Sequence, residues 1–181
     1  MPYPKDHKMT AEEYFRTPET NKHIELRDGV IIEFESPTII HQSILGGLLC
    51  EIHDFLKSNK LQDKLLMLAF DVKIDEYNVV QPDILVIRDL SQLDEYRCYG
   101  VPAFVVEIVS PDTISDYTEK LYMYYKGGAK EYWIIDPENE KVLVYMFEKS
   151  RNLVNIYTFA DSVPVGIYNG ALSINIGELT A

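Results

Sequence analysis

Apolar and polar residues recur along this chain with two periods, and the switches between those periods divide it into helices and strands. From 38 to 58 the apolar positions Ile40, Ile44, Leu48, Ile52 and Phe55 follow helical spacing, with Leu45, Leu49 and Leu56 beside them. They predict one long helix. Gly46 and Gly47 weaken its propensity and point to close approach by another element. Thr10, ahead of Ala11-Glu12-Glu13-Tyr14-Phe15, reads as the cap of a short helix that stops before Pro18. Between the two helices, Ile24-Glu25-Leu26 and Val30-Ile31-Ile32-Glu33-Phe34 flank Arg27-Asp28-Gly29, and Asp-Gly between strand-like runs is a hairpin signal.

Three strands are predicted next, over 66–74, 79–87 and 103–109. The polar turn 75–78 joins the first two, and the connection 88–102 has room for a helical turn. Residues 110–113 read as the start of another helix with Tyr117, Leu121, Tyr124 and Tyr125 on one face, ended by Gly127-Gly128. A strand over 131–136 follows, then an antiparallel extension over 141–147 and 153–159 and a last strand over 171–176. From the long helix onward the order is α-β-β-β-α-β, which predicts an α/β or α+β layer fold with a mixed sheet. With 181 residues, 46% of them hydrophobic, a single domain over 1–181 is expected.

Two strands break their own pattern. Phe104-Val105-Val106-Glu107-Ile108-Val109 carries a carboxylate where another Val would fit, and Asp83 interrupts the run 79–87. Burying an ionised carboxylate alone costs several kcal/mol or more, so each acid needs a cation or hydrogen-bond donors. Strands consecutive in sequence usually lie side by side, and two acids facing each other there can grip one hard cation. Spacing alone leaves a second reading open, in which both acids only bond strand-end backbone or a core Arg. Lys120 shares the helix face of Tyr117, Leu121 and Tyr124, where it can offset phosphate charge, or it forms an exposed i,i+4 pair with Asp116. His41 stands on the stripe of Leu45, Leu48 and Ile52 and faces the sheet as a base or as a structural residue.

At this point the chain resembles the PD-(D/E)XK nuclease superfamily, and most closely its Uma-type branch. The resemblance rests on Glu25-Leu26-Arg27-Asp28-Gly29, His41-Gln42, Gln81-Pro82-Asp83, Val106-Glu107-Ile108-Val109-Ser110-Pro111, Glu119-Lys120-Leu121 with Tyr124, and Glu131-Tyr132-Trp133-Ile134-Ile135-Asp136-Pro137. It spans about 9–148, leaving 149–181 as a strand extension, and implies a restriction-endonuclease-like core with a central mixed sheet flanked by helices. It also implies a metal-dependent endonuclease acting on DNA, with Asp83 and Glu107 binding Mg²⁺ or Mn²⁺, Glu25 extending that shell, and Lys120 and His41 as further catalytic candidates. One departure stands out: the lysine expected two residues after the second acid is Val109 here, which makes Lys120 the candidate replacement.

Charge and composition narrow the field. With 29 acidic and 17 basic residues the formal charge is −12, which opposes generic attraction to a polyanion, so any nucleic-acid contact is local. That charge supports a rival reading, a catalytically inactive scaffold of the same fold that binds a partner or dimerises. A carboxylate pair doing acid/base work on a glycoside is a further alternative. Cys50 and Cys98 give no disulfide framework or zinc spacing, and the opening residues lack the apolar core of a signal peptide. A cytoplasmic protein without membrane association is expected, with a homodimer through the terminal strands as one arrangement.

Overall fold

Thr10 starts the first helix, α1 (Ala11–Tyr14), through a reciprocal cap: its hydroxyl accepts from Glu13 N, and the Glu13 carboxylate accepts from Thr10 N at 2.8 Å. The computed structural model describes residues 7–18, 20, 22–109, 114–148 and 154–180. The predicted helix start at 110–113 and the side chain of Asp116 lie outside them. The hairpin follows as β1 (Ile24–Arg27) and β2 (Val30–Glu33), turned by Asp28 and Gly29 at φ 46° and 78°. Positive φ at both positions matches the right-handed twist of the flanking strands. Next come α2 (Ile39–Ser58), β3 (Lys64–Met67), β4 (Asp71–Lys73), β5 (Val79–Val80) and β6 (Ile84–Ile87). Then follow β7 (Arg97–Tyr99), β8 (Phe104–Ile108), α3 (Ile114–Gly127), β9 (Glu131–Asp136) and β10 (Lys141–Met146). The described strands end with β11 (Val154–Thr158), β12 (Ser162–Pro164) and β13 (Ser173–Asn175).

Among the described residues these strands form a five-stranded sheet, β2-β1-β5-β4-β7, a six-stranded sheet, β11-β10-β9-β8-β6-β3, and the pair β12-β13. In the larger sheet β8 and β9 run parallel, joined across α3, and the other neighbours are antiparallel, so the sheet is mixed as expected.

Two predicted strands are each divided between the sheets. The run 79–87 breaks at Pro82, which has no N–H to give a ladder, so β5 stays in the smaller sheet and β6 enters the larger. The run 66–74 breaks around Ala69, whose φ of 68° no extended strand adopts, and β3 and β4 separate in the same way. The connection 88–102 holds the expected helical turn, Leu90–Gln92, and also β7, which alternation did not predict.

Period two sorts the core. Ile84, Val86, Phe104, Val106 and Ile108 pack with Ile44, Leu45, Leu48 and Ile52 of α2. Leu85, Ile87, Val105 and Val109 pack with Tyr124 of α3 and with Tyr132 and Ile134 of β9. Asp83 and Glu107 continue the second, α3-facing set. At Gly47 the expected close approach is real: an added Cβ would stand 2.8 Å from Leu179 Cδ2, whereas at Gly46 it would meet nothing within 4 Å.

At the start of β9, on the opposite face of the sheet from those acids, Glu131 is fully buried and ties the turn at Gly166–Ile167 to β9. Its carboxylate accepts from Trp133 Nε1 at 2.6 Å, Gly166 N at 3.0 Å and Ile167 N at 2.8 Å. Glu131→Ala strands these donors, and a loss of about 2–3 kcal/mol in urea unfolding is expected. A loss below about 0.5 kcal/mol would show that the carboxylate does not anchor this turn.

Candidate active site

β1 delivers the first two charged groups. Glu25 and Arg27 alternate onto one face, both buried, and Arg27 donates to Glu25 Oε2 from Nε at 2.8 Å, with Nη2 of the same ion pair 2.7 Å from that oxygen. The other oxygen, Oε1, accepts from the backbone N–H of Gln81 at 2.9 Å and lies 3.0 Å from Lys120 Nζ. Burial pushes the Glu25 carboxyl up, but the charges of Lys120 and Arg27, with the Gln81 N–H, outweigh it and hold the group below the usual carboxylate range.

The strand register brings the second pair together. Ile84 faces Val106 and Leu85 faces Val105 across β6 and β8, so one step further along the same register Asp83 stands opposite Glu107. Asp83 Oδ2 accepts from Ile108 N at 2.6 Å, and Oδ1 lies 3.1 Å from His41 Nε2, supplied by the first turn of α2. Glu107 Oε1 takes two donors, Lys120 Nζ at 3.0 Å and Tyr124 Oη at 2.7 Å, both from α3. Its other oxygen, Oε2, enters no hydrogen bond among the described residues. Burial pushes the Glu107 carboxyl up to about 8; Lys120 opposes that shift, and the negative charges of Asp83 and Glu25 reinforce it.

All five candidate residues therefore converge. Lys120, only 2% exposed, bridges Glu25 and Glu107, while His41 abuts Asp83. Phe34 forms a floor, its ring centre 4.9 Å from the Arg27 guanidinium carbon and 5.7 Å from Lys120 Nζ. Three carboxyl groups face two cationic side chains, Arg27 and Lys120, and the push on Glu107 up to about 8 makes the metal-free cluster hold a proton instead of a third buried negative charge. The donors available to an ion are hard carboxylate oxygens, the type a divalent Mg²⁺ or Mn²⁺ takes. Among the described residues no group of three or more His, Cys, Asp or Glu is set to hold an ion by itself.

Sequence reasoning did not identify Arg27, Tyr124 or the Gln81 backbone as partners of the acids. The alternation of Glu25 with Arg27 and the four-residue step from Lys120 to Tyr124 were the available signals.

No curated protein matches the chain. A solved structure described as a "putative nuclease", from Anabaena variabilis ATCC 29413, has the same fold, with a TM-score of 0.79 and 22% identity over 95% of this chain and 97% of its own. The family described as "Putative restriction endonuclease", Uma2, matches residues 11–169. That match takes in the hairpin of Glu25, the helix of His41, both acid-bearing strands and α3, and the chain belongs to the Uma2 family.

Proposed function

We propose that this protein is a metal-dependent endonuclease that hydrolyses phosphodiester bonds in DNA at the Asp83–Glu107 pair. The observation that carries the reading is the facing of these two buried acids across adjacent strands, with a buried lysine beside them. The unengaged Glu107 Oε2, on a carboxyl that a cation would bring to its ionised form, fits a divalent cation held by Asp83 and Glu107. Such an ion, Mg²⁺ or Mn²⁺, polarises phosphoryl oxygens and acidifies water.

The chain's own groups do the rest. Ile108 N and His41 fix the Asp83 carboxylate from both sides. Tyr124 and Lys120 hold one oxygen of Glu107 and leave the other without a hydrogen bond among the described residues. Glu25, with both oxygens already engaged by Arg27, Gln81 N and Lys120, serves to orient Lys120 rather than to bind the ion. Lys120 places a fixed positive charge where the phosphate gains negative charge in the transition state. This local arrangement also answers the formal charge of −12, because affinity is not asked of the global field.

The test is cleavage of plasmid and single-stranded DNA by the native protein with Mg²⁺ or Mn²⁺ and with chelator. Cleavage present with metal and absent with chelator supports the reading. No cleavage of either DNA, together with no thermal stabilisation by Mn²⁺, favours the scaffold alternative, since an ion that binds only the folded state must raise the melting temperature.

A further inference from the structure

β2 is the outer strand of the smaller sheet, and all four of its residues are exposed. Phe34 N donates to the His23 carbonyl, so 34 and 23 are a hydrogen-bonded pair of the antiparallel ladder, and alternation makes Ile32 with Glu25 and Val30 with Arg27 the next such pairs. The N–H and C=O of Ile31 and Glu33 therefore point away from β1. No backbone partner meets them among the described residues.

Chains normally blunt an edge of this kind with a lysine, a proline or a bulge. β2 uses none of these: its register with β1 is unbroken and it reads Val-Ile-Ile-Glu. Its one charged side chain, Glu33, lies 2.7 Å from Lys22 Nζ, and Asp28 at the turn is paired with Lys8. The edge is thus locally neutral on a chain whose formal charge of −12 sets two copies against each other elsewhere, and it offers no free acid to a basic peptide. What it offers is apolar: Val30 is 58% exposed, Ile31 41% and Ile32 36%.

We propose that two copies of this chain pair antiparallel through β2, about a two-fold axis at Ile32, with Ile31 of each copy opposite Glu33 of the other. This register gives every outward N–H and C=O of Ile31 and Glu33 a partner, because the two residues are themselves two apart. It sets Ile32 against the same residue of the other copy, and Val30 against the partner's Phe34, the ring that carries Arg27 and Lys120. The run 30–40 is exposed at every position but Phe34. A stable interface takes about 20–30 residues from each side, so this strip fits a dimer that forms reversibly at about micromolar concentration. The pairing surface moves from the terminal strands, expected from the sequence, to the hairpin beside the acids. Glu25 and Arg27 project on the same face as Val30 and Ile32, so the axis, normal to the sheet, turns both acid clusters to one side. Three ladder spacings then separate the two copies of Glu25, about 15 Å. On the nuclease reading, one dimer presents two sites to the two strands of a duplex.

Sedimentation velocity on the native protein from about 1 to 200 µM tests the pairing, with Ile32→Lys, Ile32→Glu and Ile156→Lys as variants and the melting temperature of each measured. Native protein is expected to pass from one chain to two across this range. Ile32→Lys and Ile32→Glu each weaken the dimer about 100-fold or more, since like charges meet on the axis. An equimolar mixture of the two recovers it, because position 32 faces position 32. Ile156→Lys, on the outer strand of the larger sheet, leaves it unchanged. Should either Ile32 variant fail to fold, Val30→Lys, at a more exposed position, replaces it in the dilution series. A native protein that stays a single chain at the highest concentration, a dimer that survives these β2 variants, a mixture that stays dissociated, or a dimer lost only in Ile156→Lys overturns the inference. The readout is mass rather than cleavage, so the pairing stands or falls apart from the nuclease reading.

Discussion

Replacing Lys120 with Met is expected to lower the melting temperature by about 10 °C and DNA cleavage by about 10²–10³-fold. Lys120 Nζ lies 3.0 Å from Glu25 Oε1 and 3.0 Å from Glu107 Oε1, with almost no solvent access. Methionine fills similar volume but leaves two buried carboxylates without their shared cation. Removing one partner of a buried ion pair costs about 3–5 kcal/mol, because the remaining charge is stranded rather than because the pair was strongly favourable. Glu25, the carboxyl that Lys120 helps to hold ionised, keeps only Arg27 and Gln81 N, and Glu107 keeps only Tyr124. A divalent cation can replace some of the missing charge. Mn²⁺ should therefore raise the melting temperature of Lys120→Met by more than it raises that of the native protein, while cleavage stays low. Differential scanning fluorimetry with and without Mn²⁺ checks both points. A variant melting within about 2 °C of native would show that Lys120 is not the counter-ion of this cluster.

That cluster was legible in the sequence to the extent that local pattern encodes it. Glu107 and Asp83 interrupt apolar runs, and such interruptions survive in a single sequence because each stands against neighbours of known preference. The hairpin of Glu25 was legible from Asp28-Gly29, and the helix of His41 from its apolar stripe, capped by Thr38. The division of 66–74 and 79–87 between two sheets was not read, although Pro82 was in plain view as a residue that cannot donate within a ladder. The left-handed turn at Ala69 has no comparable sequence signal, since alanine adopts that conformation only when the surrounding fold imposes it. The pairings that neutralise the acids were hidden for another reason. Gln81 N reaches Glu25 across 56 residues and Lys120 reaches Glu107 across 13, and no periodicity within one element reports a contact between elements. Tyr124 shows the limit most clearly: its spacing marks it as core, which is correct for the ring, while its hydroxyl serves the site.

The same burial makes Glu107 the group through which pH acts on the metal-free protein. Its folded-state pKa is raised from 4.5 to about 8, so between these values the folded chain holds a proton that the unfolded chain has released. Stability must then fall as pH rises through this window, and each unit of the shift corresponds to about 1.4 kcal/mol. Glu25 acts in the opposite sense: its depressed pKa contributes stability above the ordinary carboxylate range that is lost in acid. Glu107→Gln removes the first effect alone. Its amide oxygen can still accept from Lys120 and Tyr124, yet it carries no charge to bury. The variant is expected to show a flatter urea-unfolding profile between pH 5 and pH 8.5 and to exceed the native protein in stability at the upper end by several kcal/mol in order of magnitude. It should also lose the response to Mn²⁺, because the neutral amide supplies a poor ligand where the carboxylate supplied a hard anionic one. Stability would thus be gained and ion binding lost in one substitution, the pattern expected of a charge kept buried for what it binds. A native-like fall in stability from pH 5 to pH 8.5 in Glu107→Gln would locate the titrating charge elsewhere in the cluster.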